Sequence, residues 1–311
     1  MLSIVRITFI TTIVLCCPVI IDAAPGSPAL ELTILGSGGP RADGRAASGN
    51  LVSIDGKPRL LVDAGSGIFT RLGELRTDLT NLDTILLTHL HIDHAADVPS
   101  VLKARAMLSN KPISFRIYGP GARGVYPATT RFISLLFDPG GAFAYQKSFG
   151  APEDISAFDL PTDLDAPRRE VIHEGELRVS TIPTRHGDAP SSAYRVDYKG
   201  HAIAFSGDID PAGLANLGSL AKDADVLVFN CAVLDPPGSP QELYSRHTPP
   251  ALIGELAARA HVKRIVLTHI APLVEKRLSE ALKSVELNYH GVVTVAADKM
   301  WIDIPISKAN D

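Results

Sequence analysis

One plan is written twice in this chain of 311 residues, and it restricts the fold more than any other feature. In the first half, "NLVSIDGKPRLLVDAGSG" places two apolar runs on either side of Asp55-Gly56-Lys57, a hairpin turn signal, and the second run ends at Asp63. A helical stretch follows from Ile68 to Leu75, and then the strand "TILLTH". In the second half, "AYRVDYKGHAIAFSGD" turns at Tyr198-Lys199-Gly200 and ends at Asp208, and "VKRIVLTHI" echoes "LDTILLTHL". The chain therefore reads as an internal repeat of β-rich units, an α/β fold with two facing sheets and helices outside. Between the units, Ile113 to Tyr118 reads as a strand and "ATTRFISLLF" as an amphipathic helix. Asp138 to Arg169, rich in Gly, Pro and Asp, reads as a surface excursion that partly covers a site. Thr248 and the prolines after it mark the start of a helix.

The second feature is chemical. "LTHLHIDH" holds His89, His91, Asp93 and His94 within six positions. Imidazole nitrogens and carboxylate oxygens are the ligands that divalent metals prefer, and three imidazoles this close would repel if protonated. The cluster offers one donor more than the three protein ligands of a catalytic tetrahedral ion and too few for two. Other strand-end candidates are His186 in "TIPTRHGD", Asp208 in "AIAFSGD" and His269 in "RIVLTH". Together they supply three histidines for one centre, two histidines and Asp93 for another, and Asp208 as a bridge. His173, His201, His261 and His290 fit no ligand pattern and read as structural or surface residues, with His201 exposed after its hairpin glycine. Ser37 and Arg45 are weak candidates for substrate contact, and Cys231 reads as a buried small residue.

The N-terminus "MLSIVRITFITTIVLCCPVIIDAAPGSPA" reads as a secretory signal peptide over residues 1–24, which leaves 25–311 as the mature domain in the periplasm or secreted. The alternatives are an uncleaved anchor or lipidation at Cys16 or Cys17. Cleavage would leave no stable membrane association, and Cys231 alone gives no internal disulfide. A net charge of −4 with scattered Lys and Arg gives no case for a nucleic-acid partner.

"LTHLHIDH", with His186, Asp208 and His269, resembles the metallo-β-lactamase superfamily. The resemblance implies a four-layer αββα sandwich and a dinuclear centre. His89, His91 and His186 would bind one ion and Asp93, His94 and His269 the other, with Asp208 bridging and Asp63 in support. Within the superfamily, "LTILGSGGP", "FRIYGPG", "RHGDAPSSAYRV" and "RHTPPALIGELAARAHVKRIVLTHIAP" are most similar to the ribonuclease Z-type phosphodiesterase branch. There His247 would protonate the leaving group, and Asp93 would steer the proton of the nucleophile. A homodimer is what the branch suggests.

Two departures stand out. Asn230-Cys231-Ala232-Val233 replaces His-Glu-Ala-Thr, which removes the Glu that would orient His247, and a tight turn stands where the branch carries a tRNA-gripping arm. The expectation is an exported hydrolase with two divalent ions, zinc first and manganese or iron next, acting on a small anionic phosphodiester with tRNA activity absent. Ester, lactone, β-lactam or aryl sulfate hydrolysis is the alternative on the same ions, and a non-catalytic metal-binding protein comes third.

Overall fold

The computed structural model describes residues 29–109, 112–149 and 154–304. The leader expected over residues 1–24, with Cys16 and Cys17, lies outside them. The first half runs β1 (Leu30–Gly36), β2 (Gly49–Ile54), β3 (Lys57–Val62), α1 (Ile68–Glu74), β4 (Thr84–Leu86), α2 (Ile92–Ala95), α3 (Val98–Met107), β5 (Ser114–Pro120), α4 (Thr129–Phe137), β6 (Asp154–Leu160) and β7 (Arg169–Glu174). The second runs β8 (Leu177–His186), β9 (Ala189–Tyr198), β10 (His201–Phe205), α5 (Leu214–Leu220), β11 (Val226–Asn230), α6 (Pro250–Arg259), β12 (Arg264–Thr268), α7 (Pro272–Lys276), α8 (Leu278–Glu286), β13 (Val292–Val295) and β14 (Met300–Ile302).

The strands form two seven-stranded sheets, ordered β14-β1-β2-β3-β4-β5-β6 and β13-β12-β11-β10-β9-β8-β7. Both are mixed: β1 to β3 and β7 to β10 pair antiparallel, while β3 to β6 and β10 to β13 pair parallel. The repeat is thus real, and each half lends its last strand to the edge of the other sheet: β7 pairs with β8, and β14 with β1. The topology also corrects the sequence alignment of the halves. β3 corresponds to β10 and β4 to β11, so the partner of the Leu87-Thr88-His89 strand ends at Asn230, and His269 follows the equivalent of β5. The Leu-Thr-His echo joins strands that are not equivalent.

The central parallel strands are apolar throughout because both of their faces are covered. In β10 and β11, Ile203, Phe205, Val226 and Val228 face the other sheet, where they meet Val52, Leu60, Val62 and Leu86. Ala202, Ala204, Leu227 and Phe229 alternate to the opposite face, beneath Leu217, Leu220, Ile253 and Val285 of the outer helices. The first sheet does the same, packing Leu61, Ile85, Phe115 and Ile117 under Ile68, Leu72, Val101, Leu102 and Ile133. Helix, sheet, sheet and helix make the expected four layers.

Three local expectations are corrected. The excursion from Asp138 to Arg169 contains the edge strand β6 in parallel register with β5, and a 3-10 turn at Ala144–Phe149. Thr248 does not cap α6: Pro249 stands at the cap, and the Thr248 hydroxyl donates to the Ile209 carbonyl at 2.9 Å. His201 is buried, not exposed, because it opens a strand in the middle of its sheet, and its Nδ1 faces Asp225 at 3.4 Å. Among the described residues, no helix is long and apolar enough to cross a membrane.

Candidate metal centre

The loops leaving β3, β4, β10 and β12 converge with the end of β8 at one end of the sandwich. β4 ends at Leu86, so His89 and His91 sit on a loop, and the short helix α2 turns Asp93 and His94 back toward the sheets. Sharp left-handed turns aim the other strand ends: φ is 63° at Asp63 and 52° at His269. Gly207, just before Asp208, has φ 57°, and a Cβ there would lie 2.6 Å from the Thr88 Cβ, so both conformation and space call for glycine.

Every predicted ligand arrives. His89, His91 and His186 offer donor atoms within 4.8 Å of one another, and so do Asp93, His94 and His269. In the first set, His89 Nε2 and His91 Nδ1 are 3.0 Å apart. In the second, His269 Nε2 lies 3.1 Å and His94 Nε2 3.6 Å from Asp93 Oδ2. Asp208 stands between the sets. Its Oδ2 is 3.5 Å from His186 Nε2, 3.8 Å from His94 Nε2 and 4.0 Å from His89 Nε2, and its Oδ1 is 3.5 Å from His269 Nε2.

The surrounding groups fix which nitrogen His186 and His94 present. His186 Nδ1 donates to the Arg246 carbonyl at 2.6 Å, which leaves Nε2 as the donor atom. His94 Nδ1 is 2.7 Å from Asp63 Oδ2, and Asp63 also accepts from the Thr88 backbone at 2.7 Å and the Thr88 hydroxyl at 2.9 Å. Asn230 Nδ2 donates to Asp208 Oδ1 at 2.7 Å, and the Tyr126 hydroxyl lies 3.3 Å from His91 Nε2. Such partners orient metal ligands and tune them. His94 Nε2 is buried with no hydrogen-bond partner while facing two carboxylates, an arrangement that suits a divalent cation. This donor set fits borderline divalent metals.

Electrostatics point the same way. Burial, then the neighbouring imidazoles, hold His89 well below the usual histidine range, and His91 is lowered by burial and His186. Burial opposes charge on His94, but Asp63, Asp208 and Asp93 outweigh it and push its pKa up to about 9. Burial likewise opposes charge on Asp208, yet His269, His186, His94 and His247 hold its carboxyl well below the usual range. Asp93 is lowered too, with burial overcome by His269 and His94. The centre is a pair of anionic carboxylates among imidazoles.

His247 reaches the same place, its ring centroid 4.9 Å from that of His186. Burial, helped by His269 and His186 against Asp208, drives its pKa down to about 4. Ser37 and Arg45 are structural. Ser37 is buried and donates to Asp298 at 2.8 Å, while Arg45 donates to the Ser37 hydroxyl at 2.7 Å and pairs with Glu275 at 2.7 Å. Cys231 is buried, and burial pushes its thiol up to about 12. His173 and His261 form exposed pairs with Glu170 and Asp223, and His290 is exposed. Sequence reasoning missed Tyr126, the Arg246 carbonyl and the Asn230 amide as partners of the site. A cleft of about 420 Å³ opens beside the centre, lined by Pro40, Arg41, Leu243, His247, His269 and Lys276 among others.

The beta-lactamase superfamily domain matches residues 58–270. Ribonuclease Z of Mycobacterium avium (strain 104) is 32% identical over 252 residues, covering 78% of this chain and 86% of the relative. Among solved structures, human tRNase Z, short form, is similar with a TM-score of 0.68 and 24% identity over 89% of this chain and 100% of that one. The metallo-beta-lactamase fold protein YhfI from Bacillus subtilis is similar with a TM-score of 0.65 and 19% identity, over 89% and 99%. The ribonuclease relatives overturn the expectation of a hydrolase of small anions with no nucleic-acid partner. That expectation rested on features outside the centre. The two-residue turn between β9 and β10 and the loss of a carboxylate at Cys231 leave all seven donors in place. The net charge of the whole chain does not describe the cleft, where Arg41 and Lys276 are exposed and form no ion pair among the described residues. The chain belongs to the metallo-β-lactamase superfamily, with its relatives on the ribonuclease Z branch, and is a metal-dependent hydrolase.

Proposed function

We propose that this protein is a ribonuclease that hydrolyses a phosphodiester bond of RNA at a two-ion centre. His89, His91 and His186 hold one ion, Asp93, His94 and His269 the other, and Asp208 lies between them. The observation that carries the reading is the convergence of these seven donors, from four separate stretches, in a chain 32% identical to a protein named Ribonuclease Z. Zinc is the proposed ion, because histidines dominate the donor set.

When bound, the ions supply a nucleophile at neutral pH and neutralise charge on the phosphoryl oxygens. The chain does the rest. Asp93, held ionised beside His269, accepts the proton of the attacking water. Asp63, Thr88, Asn230, Tyr126 and the Arg246 carbonyl keep the donors oriented. Arg41 and Lys276 place positive charge along the cleft, where backbone phosphates approach.

The test offers purified protein, with zinc, a labelled transfer-RNA precursor and an unstructured RNA. Cleavage by the wild type that is lost in Asp208→Ala supports the reading. Fully metal-loaded protein that cuts neither RNA contradicts it.

A further inference from the structure

His247 is tied to the centre from both sides. The carbonyl before it, on Arg246, accepts from His186 Nδ1 at 2.6 Å. The hydroxyl after it, on Thr248, donates to the carbonyl of Ile209, next to Asp208, at 2.9 Å. These anchors hold the imidazole against two of the seven donor residues. One ring nitrogen of His247 and one donor atom each of His186 and Asp208 lie within 4.8 Å of one another. Its Nδ1 is buried and has no hydrogen-bond partner.

A histidine that delivers a proton needs a neighbour to hold and restore it, usually a carboxylate. Among the described residues, no carboxylate hydrogen-bonds to this ring. Of the two acidic residues on the loop leading to it, Glu242 is exposed, and Asp235 accepts from the Ala251 backbone at 3.0 Å and from the Ser284 hydroxyl. The position where the branch pattern has Glu is Cys231, whose side chain belongs to the apolar layer under α6. An imidazole with a buried, unpartnered nitrogen, grouped with His186 and Asp208, has the chemistry of a ligand.

We infer that His247 is a metal-ligating residue, acting with His186 and Asp208, and not the proton donor to the leaving group. The inference rests on the two-ion reading above and extends its donor set from seven residues to eight.

Cobalt-loaded protein tests it without any turnover measurement. In His247→Ala the visible d–d absorption of bound cobalt should change in position or intensity. Chelator competition should find one ion held at least about 10-fold more weakly, the lower end of what losing even an outer partner of a ligand costs. Unchanged absorption and unchanged competition in a folded variant overturn the inference. A wild-type measurement guards against a variant that does not fold. In long-range 1H–15N spectra of histidine-labelled protein, zinc should move one His247 ring nitrogen to a metal-bound shift, and a ring that stays at its metal-free shifts overturns the inference. Both readouts are independent of RNA, so loss of the ribonuclease reading alone leaves them standing.

Discussion

Replacing Gly39 by alanine perturbs His269 without altering any donor atom. The new methyl would sit 2.6 Å from His269 Cε1, 3.0 Å from Nδ1 and 3.2 Å from Nε2. Carbon atoms pack best at about 3.5–4.0 Å, so one group must give way by about 1 Å. The ring has little room to do so. It is 3% exposed, its backbone is fixed at φ 52°, and its Nε2 faces Asp93 at 3.1 Å. The Gly39 loop is no freer, because the Ser37 carbonyl accepts from Ile270 at 3.0 Å and Gly38 donates to Ala46 at 2.9 Å. Overpacking of this kind costs about 1–3 kcal/mol of stability, and a misplacement of about 1 Å in a reacting centre costs on the order of 10²-fold in rate. Gly39→Ala should therefore fold, bind the His269-side ion more weakly, and cleave RNA on the order of 10²-fold more slowly. Thermal melting, zinc competition and cleavage of a labelled RNA measure the three effects. A folded variant with wild-type zinc affinity and wild-type cleavage would refute both the position of His269 and its role.

Other consequences can be checked alongside. Asp63→Ala removes the acceptor of His94 Nδ1 and of the Thr88 backbone, so zinc competition should show one ion bound about 10- to 100-fold more weakly. Asp298 accepts from Ser37, Ala46 and Arg71, and these bonds outweigh burial to hold its carboxyl below the usual range. Its stabilisation is therefore complete above the unfolded carboxylate pKa of about 4 and is lost as pH falls through the lower folded value, and urea melts of Asp298→Asn should lose that acid limb and about 1.5–3 kcal/mol at neutral pH. Arg41→Ala and Lys276→Ala should each raise KM for RNA and flatten the salt dependence by about 0.7 in log–log slope, leaving zinc affinity unchanged.

The centre was legible in the sequence to the extent that its ligands are neighbours there or end apolar strands. His89, His91, Asp93 and His94 lie in one short stretch, and His186, Asp208 and His269 each close a run of strand-forming residues. Their partners carry no such mark. Tyr126 is 35 residues from His91, and it is the fold that brings the Arg246 carbonyl to His186. The repeat was readable from its hairpins, but Leu-Thr-His aligned β4 with β12, whereas by topology β4 corresponds to β11. Local pattern sees which residues end a strand and cannot see where that strand lies in its sheet. His201 failed for the same reason, since a residue after a hairpin glycine looks exposed until β11 is laid beside β10. The expectation of a small anionic substrate leaned on a leader, a short turn and a missing Glu, none of which alters the donor set.

Cleavage of a labelled transfer-RNA precursor by metal-stripped protein, before and after zinc is restored, tests the central claim most directly. A two-ion ribonuclease cuts nothing without metal and recovers fully as the second ion binds. Cleavage that persists in excess chelator, or none once two ions are bound, would contradict it.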